Sequence, residues 1–171
     1  MRRPPGHLLA SLTVACLATS CVGPLRARQA DLVGQAAPAL VLKTFDGRSL
    51  RLVEKGQPTL LVFLASWCAP CRAEADRLVD LERRFHPRGL RIVGVAIDEP
   101  EGPEAVRRFA EERGINFPIV MGTAETSRAY GGTPVTPTVF LVGKEGRIEG
   151  QVVGMREMSY LESAVERLID G

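Results

Sequence analysis

Eight uncharged residues, TLLVFLAS at 59–66, run into a Cys-x-x-Cys pair, Cys68 and Cys71. From Cys71 the apolar residues change period: Leu78, Leu81 and Phe85 recur at helical spacing, and Gly89 ends the pattern. A short run with six successive apolar residues, 60–65, suits a strand buried on both faces. Such strands belong to sheets covered by helices on either side, so the expected class is α/β. The same alternation continues downstream. LRIVGVAI (90–97) reads as a second buried strand, and PEAVRRFAEERG (103–114) as an amphipathic helix with proline near its start and glycine past its end. FPIVM, AETSRAYGG and TPTVFLV follow as strand, short helix and strand. A KEGR turn then leads into IEGQVVG, and MSYLESAVERLID closes the chain as a helix. Upstream, ALVLKTFDGRSLRL (39–52) holds two short apolar runs around Asp46-Gly47, a hairpin signal.

The first residues follow another logic. Arg2 and Arg3 precede HLLASLTVACLATS (7–20), which ends in small residues before Cys21. A basic head, an apolar middle and a small-residue cut site make an export signal. The run is short for a membrane span, which needs about 20 apolar residues, although stretched to Leu25 it reads as an uncleaved anchor. LATSC (17–21) resembles a lipobox, with Ala18 where leucine is commoner; the expectation is a lipidated Cys21 as the new N-terminus, with Cys16 a weaker second candidate. The expected organisation is thus a signal over 1–20, a Gly/Pro-containing polar tether over 21–31 and one folded domain over 32–171. Its place is the cell envelope, tethered to the membrane and facing the periplasm or extracytoplasmic space.

Without Arg2 and Arg3 the basic side chains number 20, as the acidic ones do. A chain without net charge and without a basic run offers no field for nucleic acid. Outside the cytoplasm disulfides persist, so a Cys-x-x-Cys pair there needs an electron supply if it works reduced.

What the pair can do follows from the inventory. A closed zinc site needs four ligands. The other cysteines are Cys16 and Cys21 in the signal, and the histidines are His7, also in the signal, and His86. No metal site assembles from these. A static staple is the second option, but so small a loop restricts the unfolded chain little. A redox pair fits better. With the helix beginning at the motif, Cys68 lies at its N-terminus and Cys71 one turn inside, about 5–6 Å apart between Cβ atoms. Unpaired N–H groups and the positive dipole end favour the Cys68 thiolate, the nucleophilic form. Cys71 then resolves, and Pro70 suits the first turn, where a missing N–H costs little.

FLASWCAPCRAE (63–74) followed by VTPTVFLV (135–142) resembles the thioredoxin fold and, within it, the TlpA/ResA-like membrane-tethered thiol–disulfide oxidoreductases. The similarity covers about residues 32–171. It implies a central mixed sheet with helices on both faces, an N-terminal hairpin and a central insertion. It also implies Cys68 as nucleophile, Cys71 as resolver and Pro137 as the cis-proline facing the pair, with the Thr136 backbone offered to substrate. Glu74 matches the acidic residue three after the second cysteine, on the side of Cys71, where a carboxylate can take the thiol's proton. Trp67 is expected as a flat cover over the site. The sequence departs from the family at Leu64, where an aromatic is usual, and at Ala75-Asp76, where an apolar residue and proline are usual.

The implied function is reduction of disulfides in exported proteins, apocytochrome c among them, by a monomer without cofactor, fed by a membrane donor of the DsbD/CcdA type. Ala69-Pro70 lacks the histidine of strong oxidants, which favours reduction over the runner-up, an oxidase or isomerase of the same fold. Two further alternatives are a peroxiredoxin-like peroxidase, against which Ala65 stands where threonine or serine is usual, and a redox-silent module presenting the Pro137 groove. The acidic stretch DEPEGPE (98–104) lacks an EF-hand pattern and reads as acids favoured before a helix start. His86 reads as a surface residue at a helix end.

Overall fold

The computed structural model describes Met1 and residues 31–99, 101–132 and 135–171. The proposed signal, its cut site and Cys21 lie outside the described residues, as does Pro134, the sequence's rival to Pro137 for the cis-proline, which stands further from the apolar strand. A hairpin comes first, β1 (Val41–Lys43) against β2 (Ser49–Arg51), antiparallel around Gly47, whose φ of 85° needs a residue without Cβ. Then follow β3 (Thr59–Leu64), α1 (Ala69–Phe85), β4 (Arg91–Ala96), α2 (Gly102–Glu112), β5 (Ile119–Met121), α3 (Ala124–Ala129), β6 (Thr138–Val142), β7 (Ile148–Val153) and α4 (Met158–Asp170). Every strand and helix expected from the periodicity is present.

Five strands make one mixed sheet in the order β5-β4-β3-β6-β7. Strand β4 lies parallel to β3 and to β5, whereas β6 runs antiparallel to both β3 and β7. All six residues of β3 are buried, as expected for a central strand. Alternate side chains divide between two layers. Leu60, Val62 and Leu64 join the residues of α1, α2 and α4, while Leu61 and Phe63 face Leu52 and Val53 beyond the hairpin and Tyr130 after α3. Helices thus lie on both faces, but three on one and only the short α3 on the other, where the hairpin supplies most of the cover. Fully burying one large apolar side chain contributes about 1.5–3 kcal/mol, so the face bearing Leu61, Phe63, Val93 and Phe140 could not be left to solvent. Phe63, Tyr130 and Phe140 pack ring to ring at 5.1–5.6 Å, and the Tyr130 hydroxyl donates to Pro38 O at 3.0 Å.

Buried charges tie the layers together. Arg91 reaches under the hairpin and donates to Arg51 O at 2.7 Å. Glu82, buried on α1, accepts from Ile92 N–H at 3.2 Å and lies 3.0 Å from His86 Nδ1. His86 is itself exposed at the end of α1, as expected.

The topology places the site. The chain leaves β3 for β4 and β5 on one side, then returns to β6 on the other. In open α/β sheets such a reversal leaves a crevice beyond the strand's carboxyl end. Cys68 follows that end of β3 by four residues. The pairing of Phe63 with Thr138 brings the start of β6, and so Pro137, to the same edge.

Candidate active site

Helix α1 begins at Ala69 with Cys68 as its N-cap, in extended backbone at φ −78° and ψ 109°. The N–H of Cys71 donates to Cys68 Sγ at 3.2 Å, so the sulfur takes the place of the usual capping oxygen. The Cα atoms of the pair stand 5.2 Å apart and the two sulfurs are joined as a disulfide, a separation ordinary for such bonds. Both cysteines are almost fully buried, at 3% exposure each.

Pro137 follows a cis peptide bond from Thr136. The Thr136 carbonyl oxygen lies 3.5 Å from Cys68 Sγ. Gly154 N–H closes over the far side, donating to Pro137 O at 2.8 Å. Thr136 is half-buried and Pro137 buried. Around this mouth stand exposed apolar side chains: Trp67 beside Cys68 at 56%, Val135 beside Thr136 at 62%, and Met155 after Gly154 at 39%. Trp67 therefore stands in solvent next to the pair, one of several apolar residues at its rim.

Glu74 lies one turn after Cys71 and is 2% exposed. It shares an apolar crevice with Cys71, Leu64, Phe109, Phe117 and Pro137, in which there is no room for an ordered water. Its Oε2 has no hydrogen-bond partner. Burial pushes the Glu74 carboxyl above the ordinary glutamate range, opposed only in part by the charge of Arg77. When ionised, such a carboxylate is a stronger base than an exposed one.

The acidic stretch requires a correction. Asp98 does not act as a helix-start acid; it lies at the end of β4, 2% exposed. Its carboxylate accepts from Ser66 N–H at 2.9 and 3.1 Å and from the Ser66 hydroxyl. Burial raises the Asp98 carboxyl, and the Ser66 bonds lower it. The α2 start has no side-chain cap, and the acid in its first turn, Glu104, pairs with Arg107 at 2.5 Å. Asp98 thus anchors the loop that leads into Cys68, a role invisible in a run of four acids, because it depends on β3 and β4 ending side by side. Arg72 likewise carries no local sequence signal for its place. It pairs with Glu112 at 2.7 Å and lies over the Phe109 ring at 5.7 Å.

Among the described residues no three His, Cys, Asp or Glu side chains cluster as metal ligands would, and no helix is long and apolar enough to cross a membrane. The arrangement offers one sulfur at a helix N-terminus beside an open apolar rim, a second sulfur one turn deeper, and a carboxyl in a dry crevice next to the second.

Residues 33–151 match the AhpC/TSA family. The chain is 32% identical over 143 residues to the thiol-disulfide oxidoreductase ResA of Geobacillus thermodenitrificans, covering 82% of this chain and 80% of that protein. It is 31% identical over 140 residues to ResA of Bacillus subtilis, covering 81% and 76%. Among solved structures, a thiol:disulfide interchange protein of the thioredoxin family from Chlorobium tepidum superposes with a TM-score of 0.72 at 30% identity, over 82% of this chain and 99% of that one. StoA from Bacillus subtilis superposes at 0.65 and 26% identity, over 75% and 96%.

Proposed function

Given that the chain belongs to the AhpC/TSA family and is a ResA-like thiol–disulfide oxidoreductase of thioredoxin fold, we propose that it reduces disulfides of exported proteins, with Cys68 attacking and Cys71 resolving. In the reduced protein the Cys68 thiolate attacks one sulfur of the substrate disulfide. A mixed disulfide forms and the first substrate thiolate leaves. Cys71 passes its proton to the Glu74 carboxylate, and the Cys71 thiolate displaces the second substrate sulfur from Cys68. The substrate gains two electrons, one proton returned by Glu74 and one from solvent, which had taken the Cys68 proton when its thiolate formed; the protein ends as the Cys68–Cys71 disulfide.

The observation that carries this order is the Cys71 N–H bond to Cys68 Sγ at the start of α1, which stabilises negative charge on Cys68 and not on Cys71. Substrate binds along Thr136 and Pro137 against the apolar rim of Trp67, Val135 and Met155. Extended chain suits that edge, and apolar flanking side chains suit the rim. Apocytochrome c, exported with paired cysteines, is one such substrate.

The reducing direction rests on the surroundings of Cys68. Strong oxidants stabilise the reduced thiolate heavily. Here Cys68 Sγ has one N–H donor among the described residues, and the Thr136 carbonyl on another side does not favour an anion. Equilibration in dithiothreitol and glutathione buffers is therefore expected to place the potential nearer the thioredoxin value, about −270 mV, than the DsbA value, about −120 mV. A value near the latter would make the protein an oxidase.

A reductase outside the cytoplasm must be recharged, and a membrane donor of the DsbD/CcdA type supplies electrons to Cys68–Cys71. The folded domain from Leu32 works as a monomer on a tether of residues 21–31, after removal of 1–20 and lipidation of Cys21. Mass spectrometry of the membrane-extracted protein should then find Cys21 as a lipid-bearing N-terminus. A product beginning elsewhere without lipid would remove the anchor.

A further inference from the structure

The dry crevice around Glu74 is assembled from separate parts of the chain. Val62 and Leu64 come from β3, Ala75 and Leu78 from α1 itself, and one wall from the insertion between β4 and β5. Phe109 of α2, with Ile115 and Phe117, makes that wall. Phe109 is 2% exposed. Its ring also meets the Arg72 guanidinium, 5.7 Å from the centroid. Arg72 is one-third exposed and held in place by Glu112 at 2.7 Å, with Ser66 O at 3.5 Å on the other side. One aromatic ring therefore touches both the crevice and a cation that faces water, and that cation sits directly after Cys71.

We propose that Phe109, pinned by the Arg72–Glu112 pair, is a positioning residue that keeps water away from the Glu74 carboxyl. The proposal deepens the reading of Glu74 as proton acceptor, on which its catalytic consequence rests. An unpaired carboxyl oxygen stays dry only while every wall is closed, because an ion pulls in water wherever a path opens. Of the other walls, β3 and α1 cannot open alone, being the centre of the fold, and Pro137 is tied down by the Gly154 N–H bond to its carbonyl at 2.8 Å. The α2 wall is held to α1 from outside, closely by Arg72–Glu112 at 2.7 Å and more loosely by Arg113–Asp76 at 3.8 Å. Among the described residues, the charged group acting on Glu74 is Arg77 of its own helix; Cys71, joined in the disulfide, shares the crevice, and β3, α2, residues 115–117 and Pro137 face it with apolar side chains. With no anion or further cation among them, hydration is what governs its acidity.

The test titrates Glu74 in the oxidised full-length protein, where neither active-site cysteine ionises, by carboxyl 13C NMR with Glu74→Gln to assign the signal. In Phe109→Ala the Glu74 titration should move to lower pH, towards the ordinary glutamate range, because water then solvates the anion. Phe109→Met, which keeps an apolar plug of similar length, should titrate as wild type. Phe109→Leu, a smaller cut, carries the test if the alanine variant does not fold, and should shift in the same direction by less. An unmoved titration in folded Phe109→Ala or Phe109→Leu overturns the inference, as does a methionine variant that shifts as far as alanine. The titration reads the wall alone. A shift in Phe109→Ala alongside full exchange rates in Glu74→Gln would uphold the wall and sink the proton-acceptor role.

Discussion

Replacing Cys71 by serine should stop the protein at the mixed disulfide, while replacing Cys68 by serine should abolish reaction altogether. The asymmetry follows from the first turn of α1. Cys68 Sγ receives the Cys71 N–H and stands at the dipole's positive end, beside the open rim of Trp67 and Val135. Cys71 is one turn deeper, in the crevice with Glu74. Without Cys71 the attack still proceeds, but no second thiolate exists to displace the substrate from Cys68. Incubated with envelope extract or a disulfide-bonded test protein, Cys71→Ser should accumulate covalent adducts that dithiothreitol releases, and Cys68→Ser should give none. Adducts of equal yield from the two variants would reverse or erase the assignment. Exchange measured with the test protein should fall to background in both, since each removes a bond that the reaction must form.

Glu74→Gln should slow the resolving step by about 10²–10⁴-fold, the range of a positioned general base. Glutamine keeps the shape and cannot take the Cys71 proton. Attack by Cys68 should be nearly unchanged, so mixed disulfide should build up transiently in rapid-quench experiments. A variant that resolves at the wild-type rate would leave Glu74 without a catalytic part. Stability should move the opposite way. Burial raises the Glu74 carboxyl in the folded protein, so the native state holds its proton more tightly than the unfolded chain does. Its stabilising share is complete below the ordinary glutamate value and is lost as pH rises through the raised one. Asp98 and Glu82, also raised by burial, act in the same sense. Asp46, Glu104 and Glu112, lowered by their arginine partners, act in the opposite sense, so urea unfolding should read the Glu74 share as the difference between wild type and Glu74→Gln across pH. Glu74→Gln should gain on wild type as pH rises and be the more stable of the two at pH 8. On the proposed mechanism the cost of ionising a buried carboxyl is the counterpart of its reactivity, a familiar exchange at active sites.

Much of the architecture was legible from periodicity. TLLVFLAS read as a buried strand because six consecutive positions in it, Leu60 to Ala65, are apolar, and Leu78, Leu81 and Phe85 had to share a helix face. Asp46-Gly47 announced a hairpin through local backbone chemistry. These are near-neighbour properties, written in spacing. Where the hairpin goes was not legible. It covers the sheet face bearing Leu61 and Phe63, a place decided by Arg91 reaching under it and by apolar area with no other cover. The helices accordingly divide unevenly between the faces.

The site divides along the same line. Cys68 and Cys71, three apart at a helix start, determine by themselves which sulfur is capped by a backbone N–H and which lies inside, because one turn of helix is enough to settle it. The nearness of Thr136 to Cys68 across 68 residues of sequence is a matter of strand order, with β6 beside β3. Asp98 illustrates what local reading misses: among four acids in seven residues nothing distinguishes it, yet it alone is buried under Ser66, because β4 ends beside β3. Phe109 and Glu74, 35 positions apart, meet only because α1 and α2 pack on one face of the sheet. Composition and spacing determined the chemistry available to this chain. Its tuning, through the dryness of Glu74 and the anchoring of the Cys68 loop, was decided by tertiary packing, since desolvation depends on every wall of a crevice and no single segment supplies them all.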